Sequence, residues 1–105
     1  MTMITYDYDG VLTKEEIFLK FLDIHEKTTV MVVSSRDDTI ENKREILKRV
    51  GRGIKINLCG GFLEKCTQLA NVAGVFGKVI HFDDDPAVVE FFKSTDVDVK
   101  VRLIE

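Results

Sequence analysis

The 105-residue sequence predicts a three-layer α/β/α domain around a five-stranded, all-parallel sheet. Three observations lead there. Five short apolar runs alternate strictly with four stretches of helical periodicity. The run Thr29 to Val33 is continuous and mostly β-branched, which suits a strand covered on both faces. Acidic residues gather just after the first and fourth runs, and parallel sheets keep their ligand sites beyond the carboxyl ends of strands. A chain of this length has room for one domain, residues 1–105.

The first strand is the run Met3 to Tyr6, ending in Asp7. Thr13 then offers a helix cap, with Glu16 three positions on completing a capping box. Ile17, Phe18, Phe21 and Leu22 supply the buried stripe of that helix. After the second strand, Asp38 and Glu41 offer an acidic capping pair for a helix whose apolar side is Ile40, Leu47 and Val50. Gly51 and Gly53 stop it. Ile54, Ile56 and Leu58 form the third strand, and Gly60-Gly61 turns the chain. The third helix buries Phe62, Leu63, Cys66, Leu69, Ala70 and Ala73, with Gly74 as its expected end. Val79 to Phe82 is the fourth strand. Pro86 opens the last helix behind Asp85 as cap. Val97 to Ile104 alternates apolar with charged residues, as an edge strand does.

Composition removes several functional classes. A formal charge of -3 argues against a broad basic nucleic-acid surface. The two cysteines, Cys59 and Cys66, fit neither a zinc pattern nor a disulfide framework, and read as reduced core thiols. No apolar run approaches the roughly 20 residues of a membrane span. No export signal precedes the acidic motif at Asp7, so a cytoplasmic location with no membrane partner is expected.

The chemistry concentrates in the acidic residues. Asp7 and Asp9 leave the first strand, and Asp83, Asp84 and Asp85 leave the fourth. If those strands are neighbours, four or five carboxylates crowd one crevice. Each like-charge pair at about 4 Å costs on the order of 4 kcal/mol at an effective dielectric near 20. Ionising all of them therefore requires a cation, or else some stay protonated. An all-oxygen set favours a hard ion, and magnesium is the usual one that keeps waters and shares a phosphate. Helix capping alone accounts well for Asp85, but not for two acidic clusters each at a strand end.

The segment Asp7-Tyr8-Asp9-Gly10-Val11-Leu12-Thr13 resembles the first motif of the haloacid dehalogenase superfamily, DxDGxxT after an apolar strand. Val30 to Val33 followed by Ser34-Ser35-Arg36 resembles the second motif, and Val79-Ile80-His81-Phe82-Asp83-Asp84 the fourth, with His81 a loose fit to its apolar run. The third motif is a single lysine, read as Lys65, with Lys55 and Lys78 as rivals. The resemblance spans nearly the whole chain and implies a Rossmann-like, magnesium-dependent phosphatase.

In that family's terms Asp7 is the nucleophile and a metal ligand. Asp9 is the acid/base and binds the metal through its backbone carbonyl. Ser34 holds the phosphoryl group, Lys65 neutralises it, Asp83 holds magnesium, and Asp84 helps through water or by orienting Lys65. An acid at the position of Asp9 points to a phosphatase or phosphotransferase rather than a dehalogenase or ion pump.

Neither place where such proteins carry a cap domain has room for one here, and the hairpin flap after the first motif is nearly absent. An open crevice implies a large substrate or a second subunit of a homo-oligomer covering it. The segment Phe82 to Glu90 further resembles the fourth-motif region of the 3′-phosphatase domain of polynucleotide kinases, with Asp85 where an arginine is expected. These resemblances imply a phosphorylated substrate, with a nucleic-acid 3′-phosphate end the leading candidate and a small phosphorylated metabolite the alternative.

Arg36 has two readings, a phosphate contact beside Ser35 and a surface ion pair. His25 reads as a helix-end residue, His81 as a packed core histidine, and Tyr8 as a stacking or a packing side chain. Two competing classes remain. A signalling receiver domain would carry a phosphoacceptor aspartate after the third strand, where Asn57-Leu58-Cys59 stands, and a lysine after the fifth. A degenerate member of the phosphatase superfamily would bind a partner without turnover.

Overall fold

The computed structural model describes residues 1–105. The elements are β1 (Thr2–Tyr6), α1 (Glu15–Lys27), β2 (Val30–Ser34), α2 (Ile40–Val50), β3 (Lys55–Leu58), α3 (Phe62–Phe76), β4 (Lys78–Asp83), α4 (Pro86–Lys93) and β5 (Val99–Leu103). The sheet runs β3-β2-β1-β4-β5, and every neighbouring pair is parallel. The strand order reverses between β1 and β4, the switch point at which open α/β sheets form their ligand crevice. A receiver-type sheet would instead run 2-1-3-4-5, so the order speaks against that class.

Alternation along the strands divides the interior into two cores. Val30 and Val32 of β2 point to one face, where Phe21 of α1 and Ile46 and Val50 of α2 pack. Met31 and Val33 point to the other, against Leu69 and Val72 of α3 and Val88 and Phe92 of α4. The sheet is thus covered on both sides, the three-layer arrangement the sequence predicts. The same alternation puts Met3, Thr5 and Asp7 on the α3 side of β1, and Val79, His81 and Asp83 on the α3 side of β4. Polar residues therefore replace apolar ones toward the carboxyl ends of two adjacent strands.

Several local expectations are corrected. Helix α1 starts at Glu15 after Lys14, with no side-chain cap; the Thr13 hydroxyl instead accepts from the Gly10 N–H at 3.0 Å. Only Phe21 of the expected stripe is fully buried, whereas Leu22 is 36% exposed. In α2 the cap is Thr39, accepting from the Asn42 N–H, rather than Asp38. Ile46 is the buried anchor of that helix, and Ile40 faces solvent. Leu63 of α3 is likewise exposed. Helix α3 runs past Gly74 to Phe76 and ends at Gly77, whose φ of 92° supplies the left-handed turn that closes a helix. Gly74 has open space around it and simply continues the helix. The Asp85–Pro86 start of α4 is as expected, with Asp85 accepting from the Ala87 N–H at 2.9 Å.

No helix is long and apolar enough to cross a membrane. Between β1 and β2 there is only a tight turn at Tyr8–Leu12 and helix α1, and between β3 and α3 only Cys59 to Gly61. No cap is inserted at either place.

Candidate metal and phosphoryl site

The crevice at the β1/β4 switch point is built by four side chains from three elements. Tyr6 pairs with Phe82, and the ladder continues one step as the Asp7 N–H donates to the Phe82 carbonyl at 2.9 Å. That bond fixes Asp7 directly beside the end of β4. Asp83 is wholly buried, and Asp7 is 6% exposed. Lys65, in the first turns of α3, extends its ammonium to Asp83 Oδ2 at 2.8 Å and to Asp7 Oδ2 at 3.7 Å. Asp84, exposed at the rim, completes a group of three carboxylates whose ligand atoms all lie within 4.8 Å of one another.

The turn after β1 makes this approach possible. Asp7 accepts from the Tyr8 N–H at 2.8 Å, and the chain then passes through Gly10 at φ 74°. A side chain on Gly10 would run into the Asp84 carboxylate. Glycine at this position thus serves both the left-handed backbone and the entry of Asp84.

One lysine does not balance three carboxylates. Burial, and then the nearby charge of Asp83, push Asp7 up to about 7, with Lys65 and the Tyr8 N–H opposing. Burial would also raise Asp83, but the hydrogen bonds from His81 and Lys65, with the Lys65 charge, outweigh it and hold Asp83 below the usual carboxylate range. Lys65 loses solvation, yet Asp7 and Asp83 together hold its pKa above the usual value. The site as built is short of positive charge, and its donors are all oxygen. Both features fit a hard divalent cation held by Asp7, Asp83 and Asp84.

This imbalance predicts how the metal-free protein responds to pH. A carboxyl raised to about 7 in the folded chain, against about 3.8 unfolded, keeps its proton on folding between those values. Stability is then lost as pH rises through that window, at up to about 1.4 kcal/mol per pH unit. In EDTA the melting temperature should fall between pH 5 and pH 7.5, and Asp7→Asn should remove most of that slope. An unchanged slope in the variant would refute the burial argument.

The other expected site residues are placed as follows. Ser34 is buried at the end of β2 and accepts the Arg36 N–H at 3.1 Å, whereas Ser35 is exposed. Arg36 grips Asp9 with two hydrogen bonds of 2.8 Å, binds Glu45 at 2.8 Å and Asn42 at 3.3 Å, and lies over the Tyr8 ring. The Asp9 carboxylate is therefore turned to Arg36, while the metal-competent group forms from Asp7, Asp83 and Asp84. Lys65, not Lys55 or Lys78, is the lysine at the cluster; Lys55 is exposed at the start of β3, and Lys78 begins β4 at the opposite end of the sheet.

Sequence reasoning missed the partners of Arg36 in α2. It also took His81 for simple packing. His81 Nε2 lies 2.7 Å from Asp83 Oδ2, and Nδ1 lies 2.7 Å from the Thr5 hydroxyl. The one available signal was a histidine in an otherwise apolar strand.

A polar pocket of about 320 Å³ opens along edge strand β3, with Asp38, Lys43, Asn57, Cys59, Glu64 and Gln68 on its walls, and none of the four crevice side chains lines it. Fold and site together define a three-layer α/β domain with a buried aspartate cluster competent to hold a cation. No protein-family model, curated protein or solved structure matches the chain.

Proposed function

We propose that this chain is a haloacid dehalogenase-type phosphatase, hydrolysing phosphomonoesters with magnesium through a phospho-aspartyl intermediate on Asp7. The observation that carries this reading is the meeting of Lys65 with both Asp7 and Asp83 across adjacent strands. A structural ion pair needs one acid; a lysine shared by two buried acids beside a third is the arrangement a transferring phosphoryl group requires.

An Asp7 oxygen attacks phosphorus, the P–O bond to the alcohol breaks, and Asp9, protonated once Arg36 turns from it to the phosphoryl group, gives its proton to the leaving oxygen. Water then attacks the phosphorus of the acyl phosphate, losing its proton to Asp9. Inorganic phosphate leaves and the Asp7 carboxylate is restored. Lys65, Ser34 and Arg36 neutralise and orient the phosphoryl oxygens, with Ser35 at the rim. Asp7, Asp83, Asp84 and the Asp9 carbonyl would hold magnesium, which when bound screens the charge between nucleophile and phosphate.

A small phosphorylated metabolite is the substrate class that the charge around the strand ends favours. A nucleic-acid 3′-phosphate end remains the rival substrate, and the exposed acids Asp84, Asp37 and Asp38 around the strand ends weigh against an extended polyanion. A second subunit covering the open crevice belongs to the metabolite reading. The Arg36–Asp9 grip favours a different outcome, a binding module without turnover, since the acid/base carboxylate is already engaged.

The test combines a phosphatase assay with melting curves. Magnesium should support hydrolysis of p-nitrophenyl phosphate. Across a panel of sugar phosphates, phosphopeptides and 3′-phosphorylated oligonucleotides, the sugar phosphates should be favoured. Magnesium with beryllium fluoride, a mimic of the acyl phosphate, should stabilise the fold by about 2.7 kcal/mol at a hundredfold excess over Kd. For a chain of this size that is roughly 10 °C or more. No shift with any divalent ion and fluoride mimic would rule the site out. A shift without hydrolysis of any substrate would select the binding module.

A further inference from the structure

We infer that His81, backed by Thr5, is a positioning residue that decides which oxygen Asp83 presents to the cation. This rests on the metal-site reading above. An ionised carboxylate has about four lone-pair sites. Asp83 Oδ2 receives Lys65 at 2.8 Å and His81 at 2.7 Å, and Oδ1 receives the Asp85 N–H at 3.0 Å. Three donors leave one lone pair, on Oδ1. That oxygen is the one free for a metal ion.

Lysine alone does not fix this choice. Its ammonium is a point charge on a flexible stem and can follow either oxygen, and the final torsion of an aspartate is broad and nearly two-fold. His81 is different. It lies two residues before Asp83 on the same face of the same strand, with no exposure to solvent. Its ring is held from behind by Thr5, which pairs with it in the β1–β4 register.

The proton positions follow from the partners. The ionised Asp83 only accepts, so Nε2 carries the ring proton and donates. Nδ1 of a neutral ring then accepts, and the Thr5 hydroxyl donates to it. The chain Thr5 to His81 to Asp83 runs in one direction and locks the carboxylate plane. An apolar residue would fill this strand position without the cost of burying an imidazole. The histidine is accounted for by what it holds.

His81→Leu and His81→Gln separate the possibilities. Glutamine can carry an amide N–H to about the place of Nε2, whereas leucine cannot. Magnesium affinity is read by calorimetry, alongside kcat and the magnesium dependence of p-nitrophenyl phosphate hydrolysis. His81→Leu should weaken magnesium binding about 10- to 100-fold, the usual scale for losing such a partner. His81→Gln should stay within about threefold of the unaltered protein on the same scale. Equal magnesium affinity in a folded His81→Leu protein overturns the inference.

A second readout needs no folded variant. Long-range proton–nitrogen spectra of the unaltered protein should show the Nε2–H tautomer, and the Nδ1–H tautomer overturns the inference. If the unaltered protein binds no magnesium, the metal site itself fails and takes this role with it. If it binds magnesium and His81→Leu binds it equally well, only the positioning role fails.

Discussion

Replacing Asp7 by Asn is expected to abolish hydrolysis of p-nitrophenyl phosphate, a loss of about 10⁴-fold or more, the scale at which removal of a covalent nucleophile acts. The amide cannot attack phosphorus, and it withdraws one of the three charges that would hold a cation. The fold should survive and even gain. Asp7 is buried beside Asp83 and sits high, at about 7, so a neutral isostere removes repulsion at neutral pH. The variant should therefore melt at or above the temperature of the parent in EDTA while being inactive. Hydrolysis retained in a purified, folded Asp7→Asn protein would eliminate the phospho-aspartyl mechanism. The opposite movement of stability and activity marks a group placed for chemistry.

Lys65→Met carries the largest expected loss of stability. Its ammonium is 3% exposed and is the lysine shared by Asp7 and Asp83. Removing one partner of a buried ion pair leaves charge uncompensated and costs about 3–5 kcal/mol. In a chain of this size that corresponds to a fall of at least about 12 °C in melting temperature. The deficit should be smaller at pH 5 than at pH 8. Below its raised pKa Asp7 is protonated, and one of the two stranded charges disappears. Activity should fall as well, because the phosphoryl group loses its cation. A variant that melts with the parent at pH 8 would show that the three groups do not share a buried charge network.

Much of the fold was legible because it depends on period and punctuation. The continuous run at Val30 to Val33 encodes burial on both faces, and the alternation of residues at Thr5, His81 and Asp83 decides which face each joins. Helix ends were less legible. Thr13 and Asp38 are good caps in isolation, but Thr13 is drawn to the Gly10 N–H by the turn around Asp9, and Thr39 is one residue better placed for α2. Gly74 and Gly77 look alike in sequence; only the second meets the left-handed turn. Ile46 outranks Ile40 because Ile40 lies in the first turn of α2, beyond the reach of the sheet.

The candidate site divides in the same way. Asp7, Asp83, Asp84 and Lys65 were visible because strand ends and one helix start bring them together whatever the side-chain detail. The hold of Arg36 on Asp9 was not visible, since it depends on Glu45 and Asn42 arriving from α2. Nor was the bond from His81 to Asp83, which needs the register of β1 against β4 as well as the alternation within β4.

That register would also tie any metal uptake to chain closure. Thr5 and His81 meet across 76 positions of sequence, and the carboxylates just beyond them come from the same two distant segments. A fragment ending before β4 owns Asp7 alone of the three ligands, and a fragment starting at β4 owns only the other two. An ion seated between them would work as a reversible clasp, closing a loop whose entropy the chain must otherwise overcome by packing alone. Cation capture would thereby be a property of the assembled sheet, and would double as a built-in gauge of whether the two halves have joined.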